Sequence, residues 1–298
     1  MKFFQYFLIS GLILLFIHAN QCFAQSNSID DVEIHNYPWE SQTDYSYLDD
    51  ASLFWNTFFR PGTGIIGINT IECHSFTTSG KFLEYITNDN VPILKEQDTK
   101  VTDYWFGANF SGVVHKYVSF LIEGGLAKKS EIRYDFDNDG NIEKATHLDY
   151  SWDMTFMAEL KLGLPLNKDF TLISQTSFRV WQTTNYDFKT YKIDNNDVLQ
   201  EIFVDFDTEI YIFRTQIYLA FEALKIEKRT SLNIYSGFGF HYYEAQERNF
   251  DVIYNPDRRR DLDFVLGMTF IYDNSFLFEL KVIPAGVFSF TLQISYLT

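Results

Sequence analysis

Two cysteines and six prolines among 298 residues are few, and each scarcity removes a possibility. Cys22 falls in the N-terminal apolar segment, which leaves Cys73 alone in the rest of the chain and excludes an internal disulfide framework there. With so little proline, extended segments can run long without losing ladder hydrogen bonds. Positive charge is also short: 24 Lys and Arg stand against 40 Asp and Glu, a net charge of −16. A chain this acidic lacks the clustered Lys and Arg that nucleic acid demands, so no nucleic-acid partner is expected. Past the N-terminus there is no run of about 18 apolar residues, and a membrane-spanning helix is therefore not expected.

What is plentiful is aromatic. Phe (31), Tyr (19) and Trp (5) favour extended structure. At the N-terminus, Lys2 precedes an apolar run from Phe7 to Ile17, and Ala24-Gln25 offers a cleavage site. This pattern predicts a secretory signal peptide over residues 1–24. Its removal would take away Lys2 and no acid. Cys22 does not suit lipoprotein acylation, because Ala19-Asn20-Gln21 ahead of it lacks the usual Leu and small residue.

From Tyr104 onward, segment after segment alternates with period two. Between Leu148 and Leu162 the even positions (Leu148, Tyr150, Trp152, Met154, Phe156, Ala158, Leu160, Leu162) are apolar, while Asp149, Ser151, Asp153, Glu159 and Lys161 lie among the odd ones. A strand with one apolar face and one charged face fits lipid on one side and a polar interior on the other. The even face recurs at Val118–Ile122, Leu232–Tyr242, Leu262–Phe270, Phe276–Val282 and Phe288–Tyr296. Tyr211–Phe221 uses odd positions instead, and a phase shift at its entry, Phe203 to Glu209, predicts a bulge.

Short connections (Val113–Lys116, Pro165–Asp169, Ala223–Thr230, Asp273–Ser275) alternate with longer ones near 77–100, 135–142, 184–202 and 244–260. That is the habit of an all-β, transmembrane antiparallel up-and-down β-barrel with periplasmic short turns. Counting a weaker first strand near Gly64–Phe76 gives about ten strands, with about eight or twelve as alternatives. The expected domain layout is signal peptide 1–24, a periplasmic N-terminal segment or plug over 25–62, and a barrel over 63–298. Asp49-Asp50 before the apolar AlaSerLeuPheTrp, with Pro61-Gly62 after it, predicts a short helix or plug. The last segment, from Phe288 to Thr298, alternates like the final strand by which outer-membrane barrels are recognised for insertion, although it ends on Thr298 rather than an aromatic. The expected location is the outer membrane of a Gram-negative (diderm) bacterium, with extracellular loops and periplasmic termini. The expected partners are outer-membrane lipid, lipopolysaccharide and, during insertion, the barrel assembly machinery, with the barrel a monomer.

The segments Val118–Tyr134 and Ile142–Leu164 hold their period for about twice the ~9–11 residues needed to cross a bilayer. At ~3.3 Å per residue and ~45° tilt, about 20 residues rise roughly 45 Å, against an apolar band of ~25 Å. The wall should stand well above the outer leaflet. A barrel of about ten strands with such tall hairpins resembles the omptins, surface proteases of Gram-negative bacteria. The resemblance covers most of the chain after the signal, as layout rather than sequence identity. It implies an endopeptidase whose cleft sets an acidic pair on one hairpin against an Asp–His pair on another. Here Asp135, Asp137 and Asp139 supply acids on one side, but the opposite segment, 244–260, contains Asp251 and Asp257 and no histidine. The Asp–His element is not matched.

A three-residue turn at Asn138-Asp139-Gly140 would keep both arms of the 117–164 hairpin in phase. That register sets Lys129 opposite Asp149, Glu131 opposite His147, Arg133 opposite Ala145 and Asp135 opposite Glu143. The candidate catalytic residues are therefore Glu131, His147 and Asp149, with His241 lower in the wall, where a carboxylate could orient an imidazole base. Inward charges of both signs, from Glu159 and Lys161 to Arg179, Arg214, Asp263, Glu279 and Lys281, should neutralise each other and fill the lumen. Asp135, Asp137, Asp139 and Glu143 could hold a weak calcium at the hairpin tip. An EF-hand, however, would need an acid where Thr146 stands. Arg258, Arg259 and Arg260 form a basic run suited to lipopolysaccharide phosphates. No cofactor motif, zinc spacing or nucleophile elbow occurs, and no cofactor is expected. The sequence favours a non-enzymatic surface barrel with a structural or surface-binding role. An omptin-like hydrolase with a rebuilt site is the alternative, and a small diffusion channel comes behind it.

Overall fold

The computed structural model describes residues 53–59, 63–87, 91–136, 142–193, 199–226, 229–249, 252–284 and 288–297. The expected signal peptide and most of the expected N-terminal segment lie outside these residues, as does the Asn138-Asp139-Gly140 turn. One helix, α1 (Leu53–Phe59), forms where Asp49-Asp50 and Pro61-Gly62 bracket the apolar run.

Eleven strands follow: β1 (Gly64–Ile86), β2 (Pro92–His115), β3 (Val118–Phe136), β4 (Ile142–Asp149), β5 (Asp153–Pro165), β6 (Phe170–Ile193), β7 (Leu199–Ile226), β8 (Thr230–Asn249), β9 (Val252–Tyr272), β10 (Phe276–Ile283) and β11 (Phe288–Leu297). Successive strands pair antiparallel except β4 with β5, and β11 returns to β1, so the sheet closes. β4 and β5 both lie along β3, one above the other. They are two halves of one wall position, and among the described residues the wall has ten such positions. The Tyr272–Ser275 turn shows why the short connections are tight. Asp273 and Asn274 adopt φ of 48° and 52°, the left-handed pair a two-residue hairpin requires.

The exterior is inverted relative to a soluble domain. Met154 is 81% exposed, Leu262 82% and Phe238 72%, while Glu72, Glu123, Arg179, Arg214 and Asp263 are buried. Only a wall with lipid outside makes that distribution favourable, because apolar side chains then need no protein cover. On β8 the apolar face runs from Leu232 to Tyr242, about the ~9–11 residues of one crossing, and gives way to Glu244, Gln246 and Arg248. On β2 it stops at Tyr104, beyond which Lys100, Asp98 and Glu96 are exposed. The chain expected to be long loops near 77–100, 184–202 and 244–260 is mostly strand, prolonging the wall into tall hairpins.

Three sequence expectations change here. Leu148 and Tyr150 point inward and are buried, whereas Trp152 and Met154 point outward. The face flips where the chain leaves the sheet at Tyr150–Trp152, held by Tyr150 N–H donating to Lys129 O (3.1 Å) and Ser151 N–H to Thr184 O (2.9 Å). The β3–β4 register also differs by one residue. Glu131 faces Leu148, Ile132 faces His147, Ser130 faces Asp149, Arg133 faces Thr146 and Asp135 faces Lys144, with an irregularity between Asp135 and Phe136. A one-residue slip turns every side chain to the other face, and this one brings Leu148 indoors. Finally, the bulge expected in Phe203–Glu209 sits in the facing strand, between Asn185 and Phe188, where Asp187 has φ 65°. β7 itself keeps one phase from Val204 to Ala220.

Candidate functional site

The interior is layered. Lowest is α1, whose Phe54, Trp55, Phe58 and Phe59 are buried. Phe59 lies against Gly163, where any Cβ would meet the ring at 2.4 Å, so only glycine seats it. Leu53 N–H donates to Glu222 Oε1 (2.9 Å), and Lys161 Nζ stands 5.1 Å over the Phe58 ring.

Above α1 comes a polar layer. Glu159 pairs with Lys161 (3.1 Å) and accepts from Gln175, whose Oε1 accepts from Tyr218 OH (3.1 Å). Tyr235 OH donates to Glu279 Oε1 (2.6 Å). The next turn up centres on Glu72. Its carboxylate lies 2.8 Å from His74 Nε2 and accepts from Trp105 Nε1 (2.8 Å), Arg179 (3.3 Å) and Arg214 (3.2 Å). Arg179 also donates to Glu123 (2.7 Å) and stacks on Trp105 at 4.4 Å. Arg214 Nη2 lies 2.9 Å from His74 Nε2 and 3.2 Å from His241 Nδ1, and Asp263 Oδ2 stands 3.7 Å from His241. A cavity of about 50 Å³ runs between these groups.

Over this sits an apolar septum of Phe76, Val101, Trp105, Ala127, Trp181, Ile210, Ile212, Tyr243 and Ala245. A second charged group follows, above the lipid-facing belt. Arg133 donates to Glu131 (2.9 Å) and Glu247, Lys129 pairs with Glu131, and Tyr150 OH reaches Glu247 at 3.3 Å. Burial pushes the Glu247 carboxyl up, against the pull of Arg133. The Phe82 ring covers the Arg133 guanidinium at 3.9 Å. Leu83, Ile86, Leu148, Tyr150, Phe188 and Val204 close the top.

The structure separates the residues proposed as catalytic. Glu131 is fully buried, His147 and Asp149 are exposed on the outer surface, and His241 lies below the septum. The expected Glu131–His147 contact does not form, because the one-residue register difference puts Leu148 opposite Glu131. Two acid–histidine contacts exist that the sequence reading missed, Glu72–His74 and Asp263–His241. The alternation Glu72, His74, Phe76 was their available signal, in a first strand whose apolar face is weak. Either pair could orient an imidazole base, but α1 lies below them and the septum above.

Of the calcium candidates, Asp137 and Asp139 lie outside the described residues, as does the Glu143 side chain. Asp135 is engaged by Lys95 and faces Lys144 rather than Glu143. The described residues contain no cluster of His, Cys, Asp or Glu able to hold a metal ion. Arg258, Arg259 and Arg260 lie in strand β9 just above exposed Leu262, not in a loop. Arg258 pairs with Glu244 (3.1 Å), Arg259 with Asp261, and Arg260 covers the Tyr242 ring at 5.3 Å.

No protein-family model and no curated protein matches the chain. Among solved structures, it is similar to the outer membrane protease OmpT from Escherichia coli, with 9% identity over 80% of this chain and 97% of that one, TM-score 0.44. It is also similar to the beta domain of the Bordetella autotransporter BrkA, with 10% identity over 78% and 98%, TM-score 0.44. The translocator domain of the autotransporter NalP from Neisseria meningitidis gives 7% identity over 97% and 96%, TM-score 0.39. All three are outer-membrane β-barrels of Gram-negative bacteria, and the likeness concerns strand layout alone.

Proposed function

We propose that the chain is a surface barrel of a Gram-negative outer membrane that neither conducts nor cleaves. In this reading it presents tall hairpins outside the cell as a structural or ligand-binding platform. The observation that carries this is the layering. Any through-path would have to cross the helix α1, the Trp105–Trp181–Tyr243 septum and the Leu83–Phe188 cap, and pass the buried ion pairs of Glu72 and Glu247 between them. The short turns face the periplasm in this reading. Arg258 and Arg260, directly above the apolar belt, contact lipopolysaccharide phosphates.

Planar-bilayer recording of the refolded barrel, with peptide cleavage assayed in lipopolysaccharide, tests the proposal. Silence in both is expected, and steady conductance or cleavage abolished by His74→Ala with His241→Ala would overturn it. The lipid contact is tested separately. Arg258→Gln with Arg260→Gln should lower the unfolding midpoint in lipopolysaccharide and leave it unchanged in neutral detergent.

A further inference from the structure

Besides bulges elsewhere, such as Gly67–Asn69 and Ala245–Glu247, the wall changes at one shared level on three adjacent strands. β7 loses its β8 neighbour at Asp207, which faces Arg248 as the first rung of that pairing. β6 carries its bulge between Asn185 and Phe188, with Asp187 at φ 65° and its N–H donating to Asp205 Oδ1 (2.9 Å). The β4–β5 wall position breaks at Tyr150–Trp152, and Tyr150 bridges to Asn185 itself. Above this line β6 and β7 continue as a ribbon, Phe188–Ile193 against Leu199–Val204. Among the described residues its outer edges find no antiparallel partner.

The ribbon instead leans across the mouth. There β6 meets the tip of β1 in a parallel pairing of two rungs, Tyr85 with Tyr191 and Ile86 with Lys192. Thr190 Oγ1 adds one hydrogen bond to Glu84 O (2.8 Å). The underside, Phe188 and Val204, covers Leu83, Leu148 and Tyr150 and, beneath them, the buried Lys129–Glu131–Arg133–Glu247 group.

From this geometry we infer that the β6–β7 ribbon is a lid, seen here closed, that pivots at Asn185–Phe188 and Asp207 to open a blind vestibule on the upper charged group. The septum below stays shut, so opening admits a ligand from outside without making a pore. Three interruptions at one height give the ribbon a hinge. Among the described residues, this two-rung latch between hairpins remote in sequence is the shortest pairing between strands of the sheet. Buried ionic groups offer little stability over an apolar filling, which is consistent with a compartment kept polar for use. The inference rests on the fold and not on the proposed surface role.

The test uses the full barrel with Cys22→Ser and Cys73→Ser. Val204→Cys, on the lid's underside, is exposed to a membrane-impermeant maleimide, and labelling is read at that peptide by mass spectrometry. A second protein adds Tyr85→Cys and Tyr191→Cys to staple the latch, with Ile86→Cys and Lys192→Cys as the alternative staple. Labelling of Val204→Cys is expected to slow at least tenfold in the oxidised staple and to recover on reduction. An Ile212→Cys control in the septum should stay unlabelled throughout. Equal labelling with and without the staple, no labelling in either, or septum labelling at the same rate would each overturn the lid.

Discussion

The belt-level wall and the hairpins above it are built from the same strands, yet they obey different rules. At belt level, lipid favours apolar outward side chains, and Phe238, Met154 and Leu262 stand exposed there with few polar residues such as Ser236 among them. Above it, water accepts either kind of residue outside, and the choice of face passes to the interior. There Leu148 and Tyr150 turn inward to cap the barrel, while Phe203, at 64% exposure, faces water. The solvent outside, rather than the strand itself, decides how strictly alternation reports topology.

Buried ion pairs give the largest expected contrast between the two regions. Arg214→Met removes a buried cation from beside Asp263 and one of the partners of Glu72, and should cost about 3–5 kcal/mol in denaturant unfolding. Arg133→Met, under the cap, should instead leave the wall's unfolding midpoint close to wild type and speed hydrogen exchange in the hairpins above Asp207. A global loss as large as that of Arg214→Met would dissolve the distinction.

The outer face gives the next contrast. Phe238→Arg, within the belt, should destabilise by about 2–4 kcal/mol in lipid vesicles, whereas Phe203→Arg should stay within about 0.5 kcal/mol. Similar costs at both sites would mean that the belt reaches higher than the Tyr104 and Tyr242 level.

The smallest effect concerns pH. Burial raises the Glu247 carboxyl above its ordinary value of 4.5 in the folded protein. Within the window between that value and the raised one, the native state holds a proton that the unfolded chain has lost. Stability therefore falls as pH rises through it. Glu247→Gln should flatten this part of the curve, read from urea midpoints at closely spaced pH values. An unchanged slope would remove Glu247 as its source.

Legibility follows the same division. The wall count near ten and the short turns could be read because lipid outside keeps most of each outward face apolar. Sequence also marked the short helix, through the acids and the Pro-Gly that bracket it. Contacts between remote strands could not be read. Glu72 meets Arg179 and Arg214 across the lumen, and His241 meets Asp263. The Glu131–His147 pair failed for a local reason, since period-two arithmetic presumes an unbroken strand and one irregular residue inverts everything beyond it.

Alternation over so many long segments already pointed to a closed antiparallel wall with apolar residues outside, because lipid can meet the apolar face while the polar face turns inward. Tertiary structure alone decided where alternation breaks, which charges meet, and that apolar and charged groups alternate in layers inside. Those outcomes depend on register and on which strands become neighbours on closure. A single-residue shift changes both while leaving the alternating pattern in the sequence untouched.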